Sequence, residues 1–144
     1  MLDKTWLAIP RTTRTEFDFA PPNRIDCYIK VVASSIQSTA MPWAWCVYAY
    51  IKPQHPLFGD APALRRLPLH KGCTLLQTET TSSRGEYEDA RSNEYTMWVV
   101  GANYQHAGDG FMFNNPAGGV PYEILMDVDS LMRVLVMRPK GGAT

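Results

Sequence analysis

The three histidines of the chain each belong to a short polar motif that could support metal binding or acid–base chemistry. His70 and Cys73 are separated by two residues, as are His106 and Asp109. Imidazole, thiolate and carboxylate groups all bind transition metals. His55 stands alone before a proline. The side chains that could form a functional cluster are therefore His55, His70, Cys73, His106 and Asp109.

Two chemistries are open to this cluster. Four of its members, His70, Cys73, His106 and Asp109, could hold a zinc ion if their loops converge. Alternatively, Cys73 could act as a nucleophile with a histidine as its base, as in a Cys/His-dependent hydrolase. The sequence contains no HExxH or CxxC motif in support, and such spacings are common by chance. We therefore expect no bound cofactor, with zinc as the alternative, and a binding rather than an enzymatic function.

Each of these residues also has a structural interpretation. A cysteine that opens an apolar run, as Cys73 does, is commonly a small core residue. His106 could bond to backbone groups in a turn that Asp109 helps to form. His55 could pack its ring against a neighbouring aromatic side chain.

Composition indicates one domain that spans residues 1–144. Hydrophobic residues make up 45% of the chain and charged residues 19%, which is enough apolar surface to form a core. The three cysteines show no disulfide spacing, the first residues carry no apolar targeting segment, and the longest uncharged apolar run, Trp43–Ile51, is too short to span a bilayer. These features predict a cytosolic protein without a membrane partner.

The charge balance argues against nucleic acid as a partner. Fourteen Lys and Arg residues match fourteen Asp and Glu residues, so the chain lacks the positive field that binds phosphate backbones without sequence preference. Aromatic side chains could still stack on nucleobases, but contiguous aromatics in one strand are usually core residues. That interpretation applies to Trp43, Trp45, Tyr48 and Tyr50.

Apolar patterns predict four strands. Residues 24–32 alternate between apolar and polar side chains, which predicts a half-buried strand. The run Trp43–Ile51 is apolar on both faces and lies between prolines, so it predicts a central strand. Residues 73–77 and 97–102 predict two more buried strands, whereas the four prolines within residues 52–69 predict an irregular loop.

The end of the chain predicts a helix. Asp129 could cap its first turn, and Leu131, Val134 and Leu135 share one face. A strand through Val134 and Val136 is the competing interpretation. The elements together predict an α+β fold, with a small mixed or antiparallel sheet, long loops and a C-terminal helix.

A polar stretch at residues 78–94 connects two predicted strands. Its default interpretation is a solvated hairpin connection, and the alternative is an arm that binds a partner. The side chains that would make contact are Arg84, Glu86, Glu88, Asp89 and Arg91.

Three stretches resemble, in order and spacing, a family of small bacteriophage and prophage proteins with the pattern GHPL…HGGLT…GFDxxHxGD. They read YIKPQHPLF at 50–58, LHKGCT at 69–74 and WVVGANYQHAGD at 98–109. Lys71 replaces the first glycine of the second motif, and Asn103 replaces an aspartate of the third. If that aspartate is a ligand or base, Asn103 weakens the activity, because an amide neither accepts a proton nor balances a cation's charge.

The resemblance implies a phage-encoded or prophage-encoded protein that acts in the bacterial cytoplasm. Small accessory proteins of this kind bind and inhibit or modulate a host or defence protein, as anti-CRISPR inhibitors do. Two alternatives remain open, a metal-assisted or Cys/His-dependent hydrolase and a structural component of the virion.

Overall fold

Five antiparallel strands form the sheet on which the other described elements pack. The structure is a computed structural model that describes residues 14–35, 42–81, 95–104 and 110–137. Within these residues the strands are β1 (Arg14–Phe19), β2 (Cys27–Ser35), β3 (Trp43–Ile51), β4 (Leu75–Thr81) and β5 (Tyr95–Asn103), and the α-helices are α1 (Ala61–Arg65) and α2 (Tyr122–Val136). Two short 3-10 helices, Phe111–Phe113 and Pro116–Gly118, precede α2. The spatial order β1-β2-β3-β5-β4 places β3 at the centre, and the predicted α+β fold is confirmed.

One face of the sheet, the core face, carries the hydrophobic core. Side chains that pair across antiparallel strands lie on the same face, as Ile29, Ala49 and Val100 do in register. These residues share a buried cluster with one side of α2. That side of the helix consists of Ile124, Val128, Leu131 and Leu135. The helix therefore covers the core face and fixes which side of the sheet is left for other contacts.

Helix α2 begins seven residues earlier than its predicted cap. The prediction of Asp129 as cap is wrong, because Asp129 lies inside the helix and pairs with Arg133 at 2.9 Å. The competing strand through Val134 and Val136 is also wrong, since both residues are helical. The sequence signal for the earlier start is the spacing of Ile124 and Val128. These residues extend the buried stripe of Leu131 and Leu135 by two turns towards the N-terminus.

The prediction of an irregular loop over residues 52–69 is wrong for part of the segment, which is helical. It contains α1, whose N-cap residue Asp60 accepts a hydrogen bond from the Ala63 N–H at 3.1 Å. Pro62 lies in the first turn, where its missing N–H needs no helical partner. Leu64 is fully buried and joins the core. The Asp60 cap and the first-turn position of Pro62 therefore allow a short helix in spite of the four prolines of this segment.

The strand boundaries also differ from those predicted. Strand β1 was missed, because its alternating Arg, Glu and Asp side chains resemble a polar loop. Strand β2 begins only at Cys27, so Arg24 and Asp26 precede the sheet, and Asp26 is buried. Strand β4 runs along an edge and is only half-buried at Leu75, because it has one neighbouring strand.

Replacement of Trp45 tests the core. Trp45 is fully buried, and its indole N–H donates to the Asn114 carbonyl at 3.1 Å. We expect Trp45→Ala to lower the free energy of unfolding by about 3–5 kcal/mol, because it leaves a large cavity. Urea unfolding provides the measurement, and Tyr122→Ala, at a residue that is 70% exposed, is the control with little expected change. Equal unfolding midpoints for the two variants would contradict the assignment.

Candidate functional site

His55 is a buried structural histidine. Its Nδ1 accepts a hydrogen bond from the Leu57 N–H at 3.0 Å, and its Nε2 lies 3.1 Å from the Leu135 carbonyl. Because a carbonyl can only accept, Nε2 carries the proton and Nδ1 the lone pair. Neither nitrogen then offers a lone pair to a metal ion. His55 instead joins the loop after β3 to the last turn of α2.

The same helix end is closed by Arg24 and Asp26. The Arg24 guanidinium bonds both carboxylate oxygens of Asp26, at 3.0 and 2.8 Å, and its third nitrogen donates to the Leu135 and Val136 carbonyls at 3.3 and 3.2 Å. Carbonyls at a helix C-terminus lack helical partners, and a cation there also opposes the helix dipole. The hydrogen bonds from Arg24 hold the pKa of the Asp26 carboxyl below its ordinary value. This polar cluster therefore secures the helix.

The second and third motifs meet at Tyr104. The His70 ring stacks on the Tyr104 ring, with centroids 4.3 Å apart and planes 15° apart. Tyr104 is buried, and its hydroxyl donates to the Asp127 carboxylate at 2.6 Å. The ring edge of Tyr104 also meets Phe111, with centroids 5.4 Å apart. Sequence reasoning missed Asp127, because a single acidic residue in a helix gives no signal of a distant tyrosine.

The predicted cluster divides between two places. His55 contacts Leu135, whereas His70 contacts Tyr104, which reaches Asp127. Asp127 and Leu135 are eight residues apart on α2, or about 12 Å at 1.5 Å per residue. His55 is thus bound to a different part of the helix from the His70 stack.

Cys73 makes a local contact, and the remaining predicted residues lie outside the described part of the chain. The Cys73 thiol donates to the Leu75 carbonyl at 3.2 Å, directly before β4. His106 and Asp109 lie outside the described residues, as does the proposed arm of Arg84, Glu86, Glu88, Asp89 and Arg91. Across the described ranges, no group of three His, Cys, Asp or Glu side chains could hold a metal ion. The zinc alternative with His70, Cys73, His106 and Asp109 therefore stays a prediction.

The turn after His70 explains why glycines suit the second motif. The Gly72 N–H donates to the Leu69 carbonyl at 2.9 Å, which closes the turn. Lys71 and Gly72 have φ angles of 53° and 93°, in the left-handed region. Glycine enters that region without a steric cost, so a pair of glycines is favoured at these positions. Lys71 adopts the same backbone conformation despite its side chain.

The side of the sheet away from α2 carries a second buried cluster, which we call the tyrosine face. Its members are Tyr28, Tyr48, Tyr50, Tyr95, Leu75, Met97 and Val99. The Tyr28 and Tyr50 rings stack 4.7 Å apart with planes within 4°. The interpretation of the β3 aromatics as core is correct for Trp45 and for Tyr50, which is buried although it lies with Tyr48 on this opposite face.

One close contact shapes the tyrosine face. Tyr48 pairs with Gly101 on β5, and its ring occupies the space where a Cβ would lie. A Cβ at Gly101 would also come within 2.8 Å of the Val47 carbonyl, so glycine is required here. Burial raises the pKa values of Tyr48 and Tyr50, which keeps both phenols neutral. The face thus presents rings with uncharged hydroxyl groups.

Charges beside the tyrosine face alternate in sign. Lys30 bonds Glu16 at 2.8 Å and lies 3.4 Å from Asp18, and Arg14 also pairs with Glu16. The Lys52 ammonium lies 5.6 Å from the centre of the Tyr28 ring. Cations beside this face are therefore matched by carboxylates or by an aromatic ring.

Two grooves meet at the end of β1. One, of about 420 Å³, is lined on the tyrosine side by Tyr28, Lys30 and Lys52. The other, of about 500 Å³, runs between Asp18 and the outer side of α2 at Leu125 and Met132. Both grooves include Phe19 and Ala20, so the end of β1 forms their common wall.

Comparisons with protein-family models, with curated proteins and with solved structures give no match for this chain. In the described ranges, neither helix is long and apolar enough to cross a bilayer. The surface geometry and the motif resemblance are therefore the grounds for a functional proposal.

Replacement of Asp26 tests the polar cluster. We expect Asp26→Asn to cost about 3–5 kcal/mol at neutral pH, because it leaves a nearly buried guanidinium without its carboxylate. The folded-state pKa of Asp26 is lowered, so its contribution is complete above the unfolded value of about 4 and is lost as the pH falls through the folded value. Chemical unfolding of wild type and variant from neutral to acidic pH should therefore show a shrinking difference.

The control for Asp26 is Glu16→Gln. Glu16 also pairs with two cations, but its side chain is 36% exposed. An exposed pair contributes at most about 1 kcal/mol. A loss at Glu16 as large as that at Asp26, or a difference that stays constant with pH, would contradict the role of the buried pair.

Replacement of Gly72 tests the turn after His70. A Cβ at Gly72 would meet no atom within 4 Å, so any cost of Gly72→Ala comes from its φ of 93°. We expect a loss of about 1 kcal/mol in unfolding free energy. Gly118→Ala is the matched control, because that glycine has equally open surroundings and a φ outside the left-handed region. Thermal melting compares them, and an equal effect of both substitutions would reject the backbone explanation.

Proposed function

We propose that the protein acts by binding a protein partner through the tyrosine face. The observation that carries this proposal is a set of four tyrosines on the sheet side opposite α2, three of them half-buried and Tyr50 more deeply buried. Tyrosine combines a large apolar ring with a hydroxyl group and loses little conformational entropy when it makes contact. A rigid sheet that presents several such rings resembles a protein-binding surface.

The charges beside this face favour protein over nucleic acid. Lys30 and Arg14 already pair with Glu16, so a phosphate backbone would have to displace carboxylates and would face their negative charge. Glu79 adds a further carboxylate near Tyr50. A folded protein can instead match charges of both signs with its own mixture of side chains.

The motif resemblance supports the biological setting of the proposal. It points to a phage or prophage accessory protein in the cytoplasm of a bacterial host cell. In that setting the partner is a host or defence protein, which the chain inhibits or modulates in the manner of an anti-CRISPR inhibitor. The arm that carries Arg84, Glu86, Glu88, Asp89 and Arg91 could extend the contact.

Affinity capture from a bacterial lysate tests the binding proposal. A tagged wild-type protein should retain a specific host protein, identified by mass spectrometry. We expect Tyr28→Ser and Tyr95→Ser to lower capture by about tenfold or more, because each removes a ring that would be buried on binding. Phe113→Ser is the matched control, since Phe113 is 65% exposed and belongs neither to the tyrosine face nor to α2. Melting curves must show that all three variants are folded.

The alternative functions give different results in the same experiments. The hydrolase alternative predicts bound zinc that is lost in His70→Ala, and capture that does not respond to the tyrosine variants. The virion alternative predicts the protein in purified phage particles. Equal capture by wild type and both tyrosine-face variants would reject the tyrosine face as the binding surface.

A further inference from the structure

Helix α2 carries a second stripe of side chains that points away from the core. Its residues follow one another at intervals of four, three, four and three, which keeps them on one side of a helix. They are Tyr122, Met126, Asp129, Arg133 and Val136. Met126 is 52% exposed and Val136 39% exposed. Leu125 and Met137 flank the stripe and are also exposed. The outward side of the helix therefore combines exposed apolar side chains with the exposed Asp129–Arg133 pair, and its own domain does not bury it.

We propose that this outward stripe packs against the same stripe of a second copy of the chain. The spacing of four and three residues is the one that allows two helices to interlock along a seam. A second copy related by a two-fold axis presents an identical surface, so one patch forms both sides of the interface. The two helices would run antiparallel, which also places opposite helix dipoles beside each other.

The charges within the stripe select one alignment. If the axis passes level with Asp129, each Asp129 faces its own copy across the axis, and Tyr122 faces Val136. If the axis lies level with Leu131, Asp129 faces Arg133 and Met126 faces Val136. The second alignment pairs opposite charges and brings apolar side chains together, whereas the first opposes two carboxylates.

The ion pair within each helix fits the second alignment. Asp129 and Arg133 already lie 2.9 Å apart in one chain, and their side chains are 61% and 74% exposed. In the dimer, each carboxylate would lie beside two guanidinium groups, one from each chain. Four charges would then alternate at the centre, with apolar contacts of Met126 and Val136 on both sides.

The expected dimer is weak and leaves the tyrosine face free. The facing segments 126–136 are about 15 Å long, which is short compared with obligate interfaces. We therefore expect a dissociation constant in the micromolar range. Because α2 covers the core face, the dimer would present two tyrosine faces outwards, and a partner with two binding sites would gain avidity. The dimer itself does not depend on the proposed partner.

Sedimentation equilibrium of the purified chain, from about 1 to about 200 µM, tests the dimer without any partner. Wild type should change from monomer to dimer over this range. Asp129→Arg and Arg133→Asp should each weaken the dimer by about tenfold or more, because each places like charges across the axis. The double variant Asp129→Arg/Arg133→Asp restores alternating charges and should recover the dimer. Circular dichroism melting at low concentration checks that each variant is folded.

Three results would overturn the proposal. A wild-type protein that is monomeric at every concentration would reject the dimer. A dimer whose strength is the same in both single variants would place the interface elsewhere on the chain. Failure of the double variant to recover association, although it folds, would reject the selected alignment. Recovery together with the loss in both single variants supports both the interface and its alignment.

Discussion

The closed C-terminal turn of α2 is the constraint on which the arrangement of the domain depends. Its carbonyls accept hydrogen bonds from the Arg24 guanidinium and from the His55 ring, and Asp26 balances the charge of Arg24. These groups come from the segment before β2 and the loop after β3. They therefore fix the helix end against two neighbouring strands. Apolar contacts alone would allow α2 to slide along the sheet. The directional hydrogen bonds from Arg24 and His55 instead select one position of the helix.

This attachment gives the sheet two unlike faces. The core face is covered by α2 and contains the largest buried side chains, including Trp45. The opposite face holds a smaller cluster built from strand residues, in which tyrosine predominates. The proposed binding function uses this division, because one face stabilises the fold and the other is left for contact with a partner. The same division gives α2 an outer side that is independent of the tyrosine face.

The histidine motifs show how one sequence pattern can serve different structural purposes. His55 and its neighbours secure a helix end, whereas His70 belongs to an aromatic stack on Tyr104. Gly72, two residues after His70, has the left-handed backbone conformation that the turn requires. Residues that look like one reactive set in the sequence thus have separate packing roles in the described part of the chain. His106 keeps its predicted role as a candidate ligand or base.

The sequence by itself determined the α+β class, the central position of β3 and the burial of Trp45, because apolar runs and bounding prolines are local signals. It also singled out His55 and His70 as unusual residues. Only the tertiary structure decided that Asp26 is buried, that Tyr104 reaches Asp127, and that tyrosines from three strands share one face. These features depend on strand register and on contacts between residues far apart in the chain, which no local pattern encodes.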